Sequence, residues 1–244
     1  MNNLNIISAA SVDFSEHLEI LKRPGFRKAT TNMALAIAAI EKAITQIKSI
    51  FEDNRSDFGL VLVSNSGELE TTIDFLKTLD NLKIARPFLF QNSVHNATAG
   101  FLSIHLELNS PAVSISSGTF SEEQAIETAN LLINGGQCKF CFVLSIDVWP
   151  ELQNIPLDSI SKLNGATCFI FSDSPTEDSI LLENLEIEEN FLSGPDSSLW
   201  IPQAFEKNSL WNLEKEIKVK KQGSLRVKKQ DVGFSNFSWR SNQC

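Results

Sequence analysis

A sharp turn at residues 116–120 has the form on which α/β enzymes present a nucleophile. The alternating, β-branched run from Ala112 to Ser116 predicts a strand, and a helical pattern starts at Ser121, directly after the sequence Ser-Ser-Gly-Thr-Phe. At such a turn the N-terminus of the helix stabilises a Cys thiolate. This turn carries no Cys, and the Thr119 hydroxyl would need an adjacent strong base to act as a nucleophile. The sequence therefore keeps the platform of a nucleophile without the usual reactive group.

Few other residues of this chain could do chemistry. The three histidines are His17, His95 and His105, so the last 139 of the 244 positions contain none. Cys138 and Cys141 have the spacing of a redox or half-zinc motif, but neither a second Cys pair nor a nearby His accompanies them. They fall in an apolar strand pattern, in which alternation is expected to place them on opposite faces. We interpret them as core thiols, and the sequence predicts no metal and no cofactor.

The elements that position these residues alternate between strands and helices. Strands are predicted at residues 3–14, 59–63, 112–117, 138–147 and 165–173, and helices at residues 30–51, 68–82, 93–108 and 121–136. Thr30 or Thr31 is a plausible cap of the first helix, and the second helix has Ile73, Leu76 and Leu79 on one face. This alternation favours an α/β sheet that is covered by helices on both faces.

Composition excludes several classes of protein. The 244 residues, of which 42% are apolar, are enough for one large domain or for one domain with an appendage. A net charge of −9 argues against non-specific binding to nucleic acid, and no apolar run approaches the ~20 residues of a membrane span. The N-terminal stretch of residues 1–17 has no Lys or Arg, contains Asp13 and Glu16, and does not resemble a secretory signal. We therefore expect a cytoplasmic protein with reduced thiols.

Charge distribution predicts a boundary near residue 175. Acidic residues accumulate between residues 173 and 196, and basic residues then crowd residues 215–229. Trp200, Trp211 and Trp239 make this tail too aromatic for a plain disordered linker. We expect a main domain and an acidic-then-basic extension, with a surface hairpin around a Gly-Ser turn. The predicted ranges are 1–174 for the domain, 175–244 for the extension and 215–230 for the hairpin.

Residues 87–147 resemble the nucleophile-bearing N-terminal half of a β-ketoacyl synthase of the thiolase-like fold. The family's Asn-x-x-Ala-Gly sequence, on a helix rich in small residues, corresponds to Asn96–Gly100, and its turn ending in Gly-Pro corresponds to Ser110-Pro111. Residues 164–171 resemble the later Gly-Ala strand of the same half. The resemblance extends over residues 1–173 and implies a thiolase-like half with a mixed central sheet and helices on both faces.

The same resemblance places the family's acylated Cys at Thr119. The second half of family enzymes supplies two catalytic His and an oxyanion donor, and no counterpart of it exists here, since no His follows His105. Glu122 and Glu123, in the first turn of the next helix, also oppose an anionic nucleophile. The resemblance therefore implies a ketosynthase-like chain without ketosynthase chemistry.

Ketosynthase-like chains that lack the Cys occur in this family as chain length factors. Such a factor pairs with an active ketosynthase as a heterodimer and closes the far end of the acyl tunnel of its partner. The resemblance implies a non-catalytic factor of the shortened aryl polyene type, acting in polyene, polyketide or fatty-acid-like biosynthesis. The residues expected at the tunnel or interface are Leu89, Ser93, Ala97, Thr98, Phe101 and Phe120.

Other interpretations remain open at this point. An acyltransferase-type enzyme on the same fold could use Thr119 or a thiol, and a purely structural partner could stabilise the ketosynthase without touching the growing chain. The basic stretch, with Lys220 and Lys221, could receive the acidic acyl carrier protein. It could equally be a solvated face, or pair with the acidic residues at 177–196 in the same chain.

Overall fold

The computed structural model describes residues 4–150, 164–176, 178–189, 209–229 and 233–242. These residues form a mixed sheet of eight strands with helices on both faces, which confirms the predicted fold class. The strands are β1 (Leu4–Asp13), β2 (Phe58–Val63), β3 (Ala112–Ile115), β4 (Phe140–Asp147), β5 (Gly165–Ser172), β6 (Ile180–Glu189), β7 (Gln222–Lys229) and β8 (Gly233–Ser241). The α-helices are α1 (His17–Leu21), α2 (Thr31–Ile44), α3 (Lys48–Asn54), α4 (Leu69–Leu82), α5 (Pro87–Asn92), α6 (Ala97–His105), α7 (Ser121–Asn134) and α8 (Ser209–Val219).

The strand order of the sheet is β3-β2-β4-β5-β1-β6-β8-β7. Strand β2 runs parallel to both β3 and β4, and the other neighbours are antiparallel. Parallel strands end at the same edge of a sheet, so the segments that follow β2 and β3 meet the end of β4. This edge is where the predicted nucleophile turn lies.

Two apolar layers hold the sheet between its helices. One layer lies against α2 and α6 and includes Leu35, Ile40 and Leu102. The other lies against α7 and α8 and includes Ile126 and Leu213. The helices on either side of β3 in the sequence, α6 and α7, therefore cover opposite faces of the sheet.

The central strand β2 is buried along its whole length, as its apolar sequence predicts. Gly59 allows a close approach there, because a Cβ atom at this position would lie 3.0 Å from Cys138 Sγ and 3.3 Å from the Pro111 carbonyl oxygen. The continuous apolar run and this close approach fix β2 in the middle of the parallel part of the sheet.

The helix predicted over residues 30–51 is two helices, so that prediction is wrong in its continuity. Thr30 caps α2 as predicted, because the Met33 amide donates to its hydroxyl oxygen over 3.2 Å. A 3₁₀ turn at Thr45–Ile47 then separates α2 from α3. The Thr45 hydroxyl donates to the Glu41 carbonyl over 2.8 Å, a back-bond of the kind that bends helices.

The C-terminal segment adds three strands to the same sheet, since β6 pairs with β1, β8 with β6 and β7 with β8. Helix α8 lies over the sheet with Leu210, Leu213 and Ile217 buried. The boundary near residue 175 remains a prediction, and the sheet is continuous across it. None of the helices in the described part of the chain is long and apolar enough to span a bilayer.

The predicted hairpin over residues 215–230 is wrong, because its first half is helical and its second half pairs with a later strand. Residues up to Val219 belong to α8, and β7 pairs with β8 instead of with the preceding residues. Gly223 lies inside β7 because the Trp239 ring packs onto it, and a Cβ atom there would be 2.8 Å from the ring. The Trp239 indole also donates to the Lys220 carbonyl over 3.1 Å. Trp200, another aromatic residue of the tail, lies outside the described residues.

Candidate functional site

The predicted strand, turn and helix around Thr119 are present. Strand β3 ends at Ile115, and α7 begins at Ser121. Gly118 has φ +81°, a left-handed conformation that glycine adopts without strain. Thr119 is half-buried in this turn, and Phe120 is buried within the chain, with 6% of its surface exposed.

Hydroxyl groups hold the turn in place. Ser121 Oγ donates to the Gly118 carbonyl oxygen over 2.7 Å and accepts a hydrogen bond from the Ser117 amide over 2.9 Å. It also lies 3.1 Å from Asn65 Oδ1, in the segment that follows β2. The turn after β3 is therefore tied to the neighbouring strand end by polar contacts.

The described histidines are engaged elsewhere. His95 Nε2 lies 3.1 Å from the Ser64 carbonyl oxygen, and His17 Nδ1 bonds to the Phe14 carbonyl oxygen. His105 packs edge-on against Phe26, with 4.9 Å between the ring centroids. Each imidazole therefore has a structural contact of its own.

A buried carboxylate occupies the first turn of α7. Glu122 Oε1 accepts a hydrogen bond from Ser145 Oγ, on β4, over 2.5 Å, and Glu122 Oε2 accepts one from the Leu210 amide over 3.3 Å. The Leu210 amide belongs to the first turn of α8, so Glu122 lies near two helix N-termini, where a negative charge is favoured. Glu123, the next residue, is fully buried. The helix that presents the turn thus starts with two buried acids.

Asp147, at the end of β4, holds the segment that follows β2. Its Oδ1 atom accepts hydrogen bonds from the Asn65 amide at 2.9 Å, the Ser66 amide at 2.8 Å and the Ser66 hydroxyl at 2.9 Å. Burial raises the pKa of Asp147, and the hydrogen bonds from Ser66 and Asn65 oppose that rise. The sequence analysis missed this residue, although an acid at the end of an apolar strand is a detectable signal.

Glu68, directly before α4, is a second buried carboxyl that the sequence analysis missed. Its exposed fraction is 5%, and burial raises its pKa to about 7. Oε1 accepts hydrogen bonds from the Thr98 hydroxyl and, over 3.2 Å, from the Thr30 hydroxyl, and Oε2 accepts one from the Thr71 hydroxyl over 3.3 Å. These hydroxyls come from segments that are far apart in the sequence, so no local motif marks the cluster.

The residues expected at the tunnel or interface fall into two groups. Thr98 and Phe120 are buried within the chain, and Thr98 points to Glu68. The four half-buried ones are Leu89, Ser93, Ala97 and Phe101. Both groups remain predictions as tunnel or interface residues.

An apolar face of α6 is open to solvent. Ala97, Gly100, Phe101 and Ile104 have the spacing of one helical face. Ile104 is 82% exposed, while Phe101 is half-buried and packs against the core on its inner side. The face is apolar and has no cover among the described residues.

A wider apolar surface lies on α4 and α5. Phe75 and Phe90 join the two helices, with 5.6 Å between their ring centroids. The predicted apolar face of α4 is exposed instead of packed on the sheet, and Leu76 has 53% of its surface exposed. Exposed surfaces of this kind mark interaction sites. The large exposed apolar side chains here are Leu76, Leu79, Leu82, Ile84, Phe88, Phe90 and Val94.

Strand β3 is an outer strand of the sheet and pairs with β2 alone among the described strands. Its four residues are all at least partly exposed. Ser114 Oγ is buried and has no hydrogen-bond partner among the described residues. An open strand edge of this kind can pair with a strand of another chain.

Cys138 and Cys141 are core thiols, but the expectation that they face opposite sides of the sheet is wrong. Strand β4 begins only at Phe140, so strand alternation does not run from one Cys to the other. Both thiols lie in the apolar layer of α7, and their mutual hydrogen bond lowers the pKa of Cys138 and raises that of Cys141. In the described part of the chain, no group of three or more His, Cys, Asp or Glu side chains could hold a metal ion.

The basic residues of the extension lie partly in ion pairs. Lys220 and Lys221, at the end of α8, are exposed, and Lys220 Nζ lies 2.7 Å from Glu216. Arg226 lies 2.7 Å from Glu188, on the neighbouring acidic segment. The Arg226–Glu188 pair joins the basic stretch to the acidic one, which was one of the open alternatives.

Comparison with known proteins places the chain in a family. The family model described as β-ketoacyl synthase, N-terminal domain, matches residues 36–183, which is more than half of the chain. The fold and the strand–turn–helix site thus define a ketosynthase-like protein. The chain belongs to the β-ketoacyl synthase N-terminal domain family, as the sequence resemblance implied. A search of curated proteins finds none that matches.

Solved structures with this fold include ketosynthases in complex with a chain length factor or an acyl carrier protein. A chain of the ketosynthase (ApeO) in complex with its chain length factor (ApeC) from Xenorhabdus doucetiae aligns with a TM-score of 0.66 and 17% identity, over 97% of this chain and 99% of that chain. A chain of the AntDE:AntF complex, a type II acyl carrier protein with its ketosynthase bound to the hexaketide, gives 0.69 and 10% identity over 98% and 99%. The ishigamide ketosynthase/chain length factor gives 0.59 and 17% identity over 78% and 68%. At these identities the likeness shows the fold.

Proposed function

We propose that this chain is a non-catalytic chain length factor. In the cytoplasm it pairs with an active ketosynthase and shapes the acyl tunnel of that enzyme. The complex acts in polyene, polyketide or fatty-acid-like biosynthesis, and aryl polyenes are the product class that we favour. The observation that carries this proposal is the turn itself, which keeps its strand, its left-handed Gly118 and its helix but has Thr119 where a ketosynthase carries its Cys.

The chemistry of the turn supports a non-catalytic role. A Thr hydroxyl needs an adjacent base to become a nucleophile, and the described imidazoles make other contacts. The buried carboxyl groups of Glu122 and Glu123 also occupy the N-terminus of α7, where a thiolate or an oxyanion would otherwise be stabilised. The turn then serves as architecture for a reaction on the partner subunit.

Three neighbouring surfaces support the pairing with a ketosynthase. They are the open edge of β3, the apolar face of α6 and the apolar surface on α4 and α5. A stable heterodimer buries roughly 800 Å² per partner, and an apolar centre is typical of permanent interfaces. The matched chain of the ketosynthase and chain length factor complex has nearly the same length as this one, which also favours the assignment.

Four of the residues expected at the tunnel or interface are the candidates for the wall of the acyl tunnel. Phe120 adds bulk directly after Thr119, and the other predicted wall residues are Leu89, Ser93 and Ala97, which are half-buried. A wall residue limits chain length by exclusion, because a growing apolar chain cannot enter the space that the side chain fills. A larger wall residue therefore shortens the product, and a smaller one lengthens it.

The acyl carrier protein is the second partner in this proposal. Carrier proteins are acidic, and the exposed Lys220 and Lys221 offer positive charge at the end of α8. The carrier would reach the ketosynthase through the complex and would contact this chain at its rim.

Product length in the reconstituted complex tests the function. We expect Phe120→Ala to lengthen the products and Ala97→Leu to shorten them, while Leu131→Ala, at an exposed site on α7, leaves them unchanged. Unchanged lengths in both wall variants would favour a purely structural partner. The isolated chain should acquire no acyl group from acyl carrier substrates. A covalent acyl adduct, detected by mass on this chain, would favour the acyltransferase alternative with Thr119 or a thiol.

A further inference from the structure

Glu68 joins three separate parts of the chain through hydroxyl groups. Thr30 caps α2, Thr71 lies in the first turn of α4, and Thr98 lies in the first turn of α6. All three hydroxyls donate to the Glu68 carboxyl, and Glu68 and Thr98 are almost completely buried. A buried carboxyl carries a high desolvation cost, which the hydrogen bonds only partly offset. Ordinary helix packing does not require such a group.

We propose that Glu68 is a positioning residue, which fixes α6 relative to α2 and α4 and so sets the surface that meets the ketosynthase. This inference rests on the proposed function for the identity of the partner. Thr98 is adjacent to Ala97 and one turn from Phe101, and both lie on the open face of α6. A shift of Thr98 therefore moves that face directly.

The backbone around Glu68 is held by further contacts. Asn32 Nδ2 donates to the Gly67 carbonyl oxygen, and the Thr72 hydroxyl donates to the Ser93 carbonyl oxygen over 3.3 Å. Gly67 has φ +54°, and a Cβ atom there would lie 3.3 Å from the His95 ring. The segment before α6 is thus packed against the segment that carries Glu68.

The titratable groups beside Glu68 come from two of the elements packed against it. Helix α4 contributes Glu70, whose negative charge raises the pKa of Glu68 further, and the segment before α6 contributes His95. Helix α6 and the start of α2 present the Thr98 and Thr30 hydroxyls. A carboxylate can only accept from these hydroxyls, whereas a neutral carboxyl can also donate, so protonation changes the cluster that holds α6.

Hydrogen exchange of the isolated full chain tests the positioning role without the ketosynthase. We expect Glu68→Leu to increase amide exchange in α6 by about tenfold or more, while α7, on the opposite face of the sheet, keeps its protection. Thr98→Val removes one hydroxyl with little change in shape and should give the same pattern at smaller amplitude. Glu68→Gln keeps the shape of the side chain and should leave α6 protected. Equal loss of protection in α6 and α7 would mean a general loss of stability and would overturn the inference.

Binding to the ketosynthase tests the consequence for the partner. Between pH 6 and pH 8 the affinity of the unmodified chain should change with pH, and that of Glu68→Gln should change at least about threefold less. Glu68→Leu should bind about tenfold more weakly than the unmodified chain. One outcome is that hydrogen exchange shows the expected pattern in α6 while neither the unmodified chain nor any variant binds a ketosynthase. In that case the proposed function fails, and the role of Glu68 within the chain stands. If all variants bind alike at every pH, the positioning role at the interface is wrong.

Discussion

Glu68 and Glu122, buried acids that follow β2 and β3 respectively, differ in what they hold. Glu68 follows β2 and receives hydroxyl groups from α4, α6 and the cap of α2. Glu122 follows β3 and receives the Ser145 hydroxyl and the Leu210 amide of α8. The first cluster therefore holds the helix that faces the proposed partner, and the second holds the C-terminal extension.

Under the proposed function, this difference indicates how a chain of the ketosynthase family keeps its fold without the chemistry. In an α/β sheet, the ends of parallel strands are where binding and catalytic groups are placed. Here the carboxyls at these ends are buried and joined to neighbouring elements. The start of α7 is an attachment point for α8, which packs in the same apolar layer on the sheet.

The largest expected effect is a loss of stability when the contact between α8, in the C-terminal extension, and the sheet is weakened. Leu213, on α8, is fully buried against the sheet, and its replacement by Ala should lower the free energy of unfolding by about 2–5 kcal/mol. Val219→Ala, on the same helix but at an 81% exposed position, should change it by less than about 0.5 kcal/mol. Urea unfolding of the full chain gives both values. Equal midpoints for the two variants would mean that α8 does not belong to the cooperative unit.

The pH dependence of stability tests the Glu68 cluster. Burial raises the pKa of Glu68 from 4.5 to about 7, so the folded chain holds the proton more tightly than the unfolded chain. The resulting stabilisation is complete below pH 4.5 and is lost as the pH rises to 7, with a total of about 3 kcal/mol at most. Burial shifts the pKa of Asp147 in the same direction.

Unfolding of the unmodified chain and of Glu68→Gln, measured from pH 4.5 to pH 8, separates the two carboxyls. The variant should lose the part of the decline that belongs to Glu68 and keep the part that belongs to Asp147. Parallel curves for the two proteins would show that Glu68 does not titrate in this range.

A smaller effect is expected at the start of α7. Glu122→Gln keeps the size of the side chain but replaces one acceptor oxygen by a donor, so it cannot accept from both Ser145 and the Leu210 amide. The free energy of unfolding should fall by about 1–2 kcal/mol. Glu127→Gln, at an exposed position of the same helix, is the matched control and should be neutral. A neutral Glu122→Gln would mean that α8 is held by its apolar contacts alone.

Much of the fold follows from local patterns in the sequence. The apolar runs of β2, β4 and β5 and the turn before α7 were predictable because burial and turn chemistry act on neighbouring residues. Helix α5 was missed, although Pro87 at its first position is a typical start signal. The prediction of a turn at Gly223 was wrong because the reason for this glycine is not local. The Trp239 ring, which packs onto Gly223, comes from a residue 16 positions later in the sequence.

The candidate site was predictable only in part. Thr119 and the surrounding turn follow from the chain itself, whereas the Glu68 cluster depends on contacts between residues 30, 68, 71 and 98. Such contacts arise only once α2, α4 and α6 are packed together. Cys138 and Cys141 show the same limit, since their contact depends on where β4 begins.

The smallest expected effect concerns the rim of the extension. Replacing Lys220 and Lys221 by Glu should leave the free energy of unfolding within about 1 kcal/mol, because exposed ion pairs contribute little. If this rim contacts an acidic carrier protein, however, the reversal should weaken carrier binding to the heterodimer severalfold and reduce its dependence on salt.

Lys48→Glu is the matched control for this last comparison. Lys48 pairs with Glu52 one helical turn along α3, as Lys220 pairs with Glu216 on α8, so the two changes break the same kind of contact. Carrier affinity should respond only to the change on α8, and a salt titration of binding measures it. If both variants bind the carrier as the unmodified complex does, with the same salt slope, the carrier does not contact the basic stretch. That stretch is then a solvated face, which pairs with the acidic stretch through Arg226 and Glu188.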